Sequence, residues 1–220
     1  MTSTGGVSSV AFVGCSVVCV SHATASGGEE IGKQVAEKLG YLYFDEEIVV
    51  RAAATGDLEP RDIADEERRK SFAAKFLDVL AESGGDAWGL AAPTTAAMEG
   101  IAPTDIRNLI RETIAQTAGR GNVVIVAHAA SFALEPGPRV LRVLVTASPA
   151  IRAKRVAATD GVDDAEAKRL IKDSDAGRRD YLKRFYLVDS ESPTDYDLVV
   201  NTDRLSFEQG ADIVLHAAER

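Results

Sequence analysis

Sulfur is scarce in this chain: 220 residues hold two cysteines, Cys15 and Cys19, and two methionines. Both cysteines fall within one apolar stretch. On a single strand they would share a face, whereas a disulfide needs opposed Cβ atoms, so a bridge between them is disfavoured. No second Cys or His pair completes a zinc set, which leaves two free thiols of a reducing compartment. Aromatic residues are few, at 6%. Basic charge is also in deficit, with 25 Lys and Arg against 34 Asp and Glu and a formal net charge of −9. That balance argues against nucleic acid or an anionic membrane as the main partner. A bilayer-length apolar run is missing too. The stretch from Val10 to Val20 is shorter than the roughly 20 residues a membrane helix needs. Ala23-Thr24-Ala25 imitates a leader cleavage site, but the preceding Met1 to Gly6 carries no Lys or Arg, so the positive start of a secretory leader is lacking. The expectation is a cytoplasmic protein.

What remains is a chain of alternating strand and helix signals. Residues 1–9 are small and polar and are expected to be disordered. Val17 to Val20 is short, apolar and β-branched, as in a strand buried on both faces, and ends at Ser21. A loop with Ser26-Gly27-Gly28 follows. Ile31, Val35 and Leu39 then repeat at helical spacing, with Glu29 and Glu30 in the first turn and Gly40 closing it. Tyr41 to Phe44 reads as a strand and Glu46 to Ala54 as a helix. Residues 57–100 read as a helical insert, charged at first and then rich in Gly, Ala and Pro. Thr104 to Gly119 is a helix, and Asn122 to Val126 and Leu141 to Thr146 are buried strands. Ser148-Pro149 has the form of an N-cap followed by a first-turn proline, and Asp163 with Glu166 that of a capping box opening a helix that ends near Tyr186. Asp197 to Asn201 is the last strand and Ser206 to Ala218 the last helix. This order predicts one α/β domain over residues 1–220 with a parallel sheet, Val17–Val20 lying centrally between the Asn122 and Leu141 strands. Ligands of such sheets sit beyond the carboxyl ends of the strands, where Ser21 to Glu29, Asp45, His128 and Ser131 fall.

Charge is uneven along the chain. From Arg139 to Arg184 there are 12 basic and 7 acidic residues, a local net of +5 on a protein of −9. A basic segment on an acidic protein suggests a local anion site; the plainer reading is a pair of solvated helices. The loop at Ser26-Gly27-Gly28 could turn N–H groups toward a phosphate, or the glycines could merely permit a tight turn. The pattern Gly-x-x-x-x-Gly-Lys-[Ser/Thr] is absent, since Gly28 stands at its Lys position and Glu29 at its hydroxyl position.

The string Ser21-His22-Ala23-Thr24-Ala25-Ser26-Gly27-Gly28-Glu29-Glu30-Ile31-Gly32 resembles the opening of the cytidylate-kinase-like family, Ser-Arg-x-x-Gly-Ser-Gly-Gly-x-x-Ile-Gly. Tyr43-Phe44-Asp45-x-x-Ile48, Val124 to Ala130, Asp175-x-x-Arg178-x-x-Tyr181-x-x-x-Phe185 and Tyr196 to Thr202 are similar to later family motifs, in the same order. The resemblance implies a three-layer P-loop kinase-like fold with a five-stranded parallel sheet, and phosphoryl transfer from ATP with Mg²⁺ to a nucleoside monophosphate or similar acceptor. Such chemistry is positioning plus cancellation of charge on the transferring group. It further implies Ser26, Gly27, Gly28, Glu29 and Arg152 around the donor phosphates. Arg155, Arg178 and Arg179 become the catalytic cations of a basic lid over residues 150–186. Asp45, Arg51, Arg107, His22 and His128 face the acceptor, and a homodimer is left open.

Several positions depart from the family pattern. His22 and His128 replace arginines, Ala25 replaces a glycine, and Ser131 stands for an aspartate. Neutral imidazoles do not replace two guanidinium charges at pH 7. If His22 and His128 converge at the sheet edge, anion binding there is expected to strengthen as pH falls through roughly 6.5. A weak or inactive kinase-fold protein with a binding or regulatory role is therefore the alternative. Plainer readings stand beside the site residues: Asp45 as a helix cap, and Arg178 and Arg179 as partners of Asp175 at helical spacing.

Overall fold

The computed structural model describes residues 14–45, 103–127 and 129–219. Five strands form one parallel sheet: β1 (Val17–His22), β2 (Leu42–Asp45), β3 (Val123–Val126), β4 (Val140–Thr146) and β5 (Leu198–Asn201), in the order β2-β3-β1-β4-β5. Among the described residues six α-helices accompany them: α1 (Gly28–Leu39), α2 (Pro103–Gly119), α3 (Ala130–Ala133), α4 (Pro149–Asp160), α5 (Asp164–Tyr186) and α6 (Phe207–Ala218). β1 is central as expected, pairing Val20 with Val126 of β3 and with Val143 of β4. Every residue of β1 is buried, as suits the apolar run Val17–Val20 between two neighbouring strands; Ser21 and His22 are buried polar residues at its carboxyl end. Val18, Val20, Ile31, Val35, Val124, Val126, Val143, Val200 and Val214 form the main core. Branched side chains suit these buried parallel strands because they pack on the pleated surface with little rotamer freedom left to lose.

Local signals set most element ends. Gly40 caps α1 through N–H bonds to the Ala36 and Glu37 carbonyls. Ser206 and Gln209 close a full capping box on α6. On α5 only half of the expected box forms: Asp163 accepts from the Glu166 N–H at 2.8 Å, while the Glu166 carboxylate turns to Arg169 instead. Ser148 occupies the N-cap of α4 with Pro149 following, yet its side chain makes no cap bond. Asp203, beyond β5, accepts the Ser148 N–H at 2.6 Å and tethers that helix start to the sheet. β1 runs two residues past Val20, so His22 ends the strand rather than opening the loop. The helix expected at Glu46–Ala54, the insert at 57–100 and the polar start at 1–9 lie outside the described residues.

Asp197, just before β5, binds Arg142 of β4 through the backbone N–H at 2.8 Å and through Nε and Nη2 at 3.1 and 2.9 Å. The Arg142 bonds hold the Asp197 carboxyl below the usual carboxylate range. A depressed native value stabilises the fold above the unfolded pKa, near 4, and that contribution vanishes as pH falls through the lower folded value. Because Asp197 is partly exposed, solvent screening keeps the effect near ~1 kcal/mol. Asp197→Asn is expected to lose that amount at pH 7 and almost nothing at pH 2, as read by urea unfolding at both pH values. An equal loss at the two pH values would refute the assignment.

Candidate functional site

β1 hands over to α1 through residues 23–27. The Ala23 N–H still pairs with the Val145 carbonyl at 3.1 Å, and the Ser26 N–H turns back to the Ala23 carbonyl at 3.0 Å. Ala25 adopts φ 59° and Gly27 φ 88°, both left-handed. That region costs a residue with a Cβ roughly 1 kcal/mol or more, which explains a glycine in the family pattern at the position of Ala25. Here the Ala25 methyl packs against the Ala153, Val156, Ala167 and Ile171 cluster of α4 and α5. At Gly27 a methyl group would overlap the Phe207 ring, and at Gly28 it would overlap the Cβ and Cγ of His22. The second clash explains the missing lysine: the side chain at 22 occupies the space that a side chain at 28 would enter.

The carbonyls from His22 to Ser26 are drawn toward α4, α5 and the end of β5. Arg178 Nη1 donates to the His22 carbonyl at 3.0 Å, Arg152 Nη1 to that of Thr24 at 3.4 Å, and Arg155 Nη1 to that of Ala25 at 3.0 Å. Thr202 Oγ1 donates to the Ser26 carbonyl at 2.8 Å. In a trans peptide the N–H points opposite to its carbonyl. The Gly27 N–H is thus aimed away from Thr202, and the Gly27 carbonyl is taken by Ile31 N–H at 3.0 Å. Gly27 caps α1 without any side-chain bond. The N–H groups of Gly28, Glu29 and Glu30 have no acceptor within the helix, as the first turn of any helix dictates. They open, with the positive end of the helix dipole, onto a cleft of about 660 Å³. His22, Thr24, Glu29, Glu30, Arg155, Asp160 and Phe207 line it. The Arg155 guanidinium lies 5.0 Å from the Phe207 ring centroid. Ser26 contributes only backbone, because its buried hydroxyl donates to the Val145 carbonyl at 2.9 Å.

Arg152, Arg155 and Arg178 reach the backbone before Ser26-Gly27-Gly28, at the carbonyls of Thr24, Ala25 and His22, and each has further partners. Arg152 makes a two-pronged pair with Asp175 at 2.8 and 2.6 Å. Arg155 also binds the Thr202 hydroxyl and carbonyl at 3.0 and 2.7 Å. Arg178, 7% exposed, pairs with Glu191 at 3.1 and 2.6 Å. Burial is the largest single influence and works against the Arg178 charge; the Glu191 bond and charge, together with Tyr196, outweigh it, so the pKa stands above its ordinary value. Tyr196 donates to the same carboxylate; burial, then that bond, pushes the phenol well above the usual range. Among the described residues neither Arg178 nor Arg179 pairs with Asp175. Arg179 lines a different cavity, with Pro149, Lys172 and Asp175.

The acceptor residues are less complete. Asp45 ends β2 in register with Val126, two strands from β1 and therefore roughly 10 Å across the sheet edge. Arg51 and His128 lie outside the described residues, and of Arg107 only its place in α2 is given. The expected approach of His22 to His128 thus lies outside the described residues. Ser131, in the first turn of α3, accepts a bond from the Ser21 hydroxyl at 3.0 Å, both side chains being buried. Thr202, Glu191, Tyr196 and Phe207 are additions that sequence reasoning did not single out as site residues. Thr202 carried one usable signal, since it directly follows the carboxyl end of a strand.

Residues 17–204 match the cytidylate kinase-like family. A cytidylate kinase of Aeropyrum pernix is 26% identical over 201 residues, covering 91% of this chain and 98% of that protein. Among solved structures, an uncharacterized protein from Eubacterium ventriosum aligns with a TM-score of 0.64 at 15% identity over 93% of this chain and 99% of that one. Shikimate kinase from Bacteroides thetaiotaomicron aligns with a TM-score of 0.51 at 17% identity over 93% of this chain and 98% of that one. These two likenesses concern the fold. With the match extending over residues 17–204, most of the sequence, the chain belongs to the cytidylate kinase-like family.

Proposed function

We propose that the protein binds a nucleotide in the loop cleft, with a nucleoside monophosphate or similar phosphate compound as acceptor. The polyphosphate rests on the N–H groups that open α1, and the base lies toward Phe207 and Arg155. The observation that carries this reading is the pairing of an uncapped helix start with a ring and a guanidinium across one cleft. Backbone donors and a helix dipole suit phosphates, and a flat cation over an aromatic ring suits a purine or pyrimidine. An ATP polyphosphate finds backbone donors here: the N–H groups of Gly28, Glu29 and Glu30 have no acceptor within α1, and these residues line the cleft.

A resident Mg²⁺ fits less well. Among the described residues no group of three or more His, Cys, Asp or Glu could hold a metal ion. Glu29, Glu30 and Asp160 line the cleft and could add one or two oxygens to a Mg²⁺ carried in by the nucleotide. Bound there, the ion would offset charge on the phosphates. This chain's own residues hold and orient: the helix start binds, Arg155 and Thr202 keep the Ala25 and Ser26 carbonyls turned away, and Phe207 closes one wall.

Transfer is expected to be slow. Arg152 and Arg178 already serve carboxylates, and His22 stands where the family has an arginine. Losing an arginine-type contribution costs roughly 10³–10⁵ in rate. These features favour a second reading, a binding or regulatory protein with the same cleft and no turnover. Calorimetry with ATP, CMP and dCMP, each with and without Mg²⁺, together with an ADP-release assay, separates the two. ATP should give saturable heat, weakened in Arg155→Ala. Detectable ADP release that requires acceptor supports the kinase, binding without it the second reading, and no saturable heat with any of the three removes both.

A further inference from the structure

A second cavity, of about 370 Å³, lies between the first turn of α4 and the middle of α5 and shares no lining residue with the loop cleft. Buried Ile171, with Pro149 and Ala150, gives it an apolar floor. Lys168, Lys172 and Arg179 line its wall. Their spacings of four and seven residues set them along one side of α5. The lone carboxylate in the lining, Asp175, already has both oxygens bound by Arg152 at 2.8 and 2.6 Å. Lys168 shares its charge with Asp164 at 2.7 Å, an exposed and screened pair. Lys172 and Arg179 have no ion-pair or hydrogen-bond partner among the described residues.

A merely solvated helix face looks different, and the same helix supplies the comparison. Arg169, outside the cavity, is paired with Glu166 at 2.6 Å and with Asp173 at 3.2 Å. Charges on that stripe are balanced at helical spacing, whereas Lys172 and Arg179 on the cavity stripe are not. The first turn of α4 adds to the imbalance. It carries no acidic residue and no side-chain cap, and the Ala150 N–H is without an acceptor in its helix. The cavity wall thus offers donors and positive charge, with its one negative group neutralised in place.

We propose that this cavity is a second anion site, taking a small dianion of the phosphomonoester class through Lys172 and Arg179. Arg179 supplies paired N–H groups for two oxygens of one phosphate, and Lys172 supplies a mobile point charge beside it. The apolar floor accommodates the ester carbon. Occupancy is independent of the loop cleft, so the site stands whether or not a nucleotide binds there.

Titration of inorganic phosphate into ¹⁵N-labelled full-length protein, against sodium chloride at matched ionic strength, follows both regions residue by residue. Saturable shifts are expected at the amides of Ala150, Lys168 to Lys172 and Arg179, with no counterpart in chloride. The Lys172→Glu/Arg179→Glu variant should weaken that set at least roughly tenfold, as expected when charge-assisted bonds give way to repulsion. Shifts at Gly28 to Glu30, if phosphate also binds there, should be unaffected. Lys172→Gln/Arg179→Gln, which adds no repulsion and guards against misfolding, should weaken it in the same direction but less. Shifts that do not saturate, that chloride reproduces, or that survive both double variants would overturn the proposal.

Discussion

Glu191→Ala is expected to lower unfolding free energy by about 3–5 kcal/mol, the range for removing one partner of a buried ion pair. The Arg178 guanidinium is 7% exposed and donates to Glu191 through both Nε and Nη2. Without the carboxylate, a charge stays in a low-dielectric position and the Tyr196 hydroxyl loses its acceptor. Glu191→Gln keeps the shape and one acceptor oxygen, so its loss should be about half as large. The double variant Arg178→Met/Glu191→Leu removes both charges and should recover most of the stability, because apolar replacement of a buried pair is often neutral. It should not recover nucleotide affinity, since Arg178 also holds the His22 carbonyl at 3.0 Å at the entrance to the loop. Urea unfolding and ATP calorimetry on the same preparations separate the two effects. A double variant that binds ATP like the wild type would show that Arg178 stabilises the fold without positioning the loop.

The second large effect is expected at Gly27. Its φ of 88° is left-handed, costing a residue with a Cβ about 1–2 kcal/mol. The added methyl also meets the Phe207 ring, and overpacking of this kind costs about 1–3 kcal/mol. Gly27→Ala should therefore lose about 2–5 kcal/mol and, by tilting the start of α1, most nucleotide affinity. Phe207→Ala relieves the overlap and leaves the backbone strain, so in that background Gly27→Ala should cost only about 1–2 kcal/mol. The non-additivity of the pair is the readout. Should Gly27→Ala stay within about 0.5 kcal/mol of the wild type, the loop geometry described above would be wrong.

Much of the fold was legible in the residues themselves. Val17–Val20 and Val123–Val126 announced buried strands through unbroken branched apolar runs, and Leu141–Thr146 through a run interrupted by Arg142. Gly40, Ser206 with Gln209, and Asp163 marked helix ends through bonds that close within a few residues. The charge inversion between Arg139 and Arg184 located the basic helices, and the motif order pointed to the family. Two local details were readable in principle. Successive residues on a helix are turned about 100° apart, so Arg178 and Arg179 could not both face the loop. Residue 25 sits in a turn whose left-handed backbone a glycine would prefer.

Tertiary structure alone decided what the arginines do. Arg152 binds an aspartate 23 positions on, Arg155 a threonine 47 on, and Arg178 a carbonyl 156 positions back. Asp175 stands three residues before Arg178, a permitted helical pairing, yet it serves Arg152, because α4 packs beside α5 and brings a second guanidinium to it first. Thr202 reaches Ser26 only because β4 carries β5 to the same edge of the sheet as β1. Helix and strand periods set geometry over a few residues and so are written in the sequence. Contacts between distant segments depend on how whole elements pack, which no local spacing encodes.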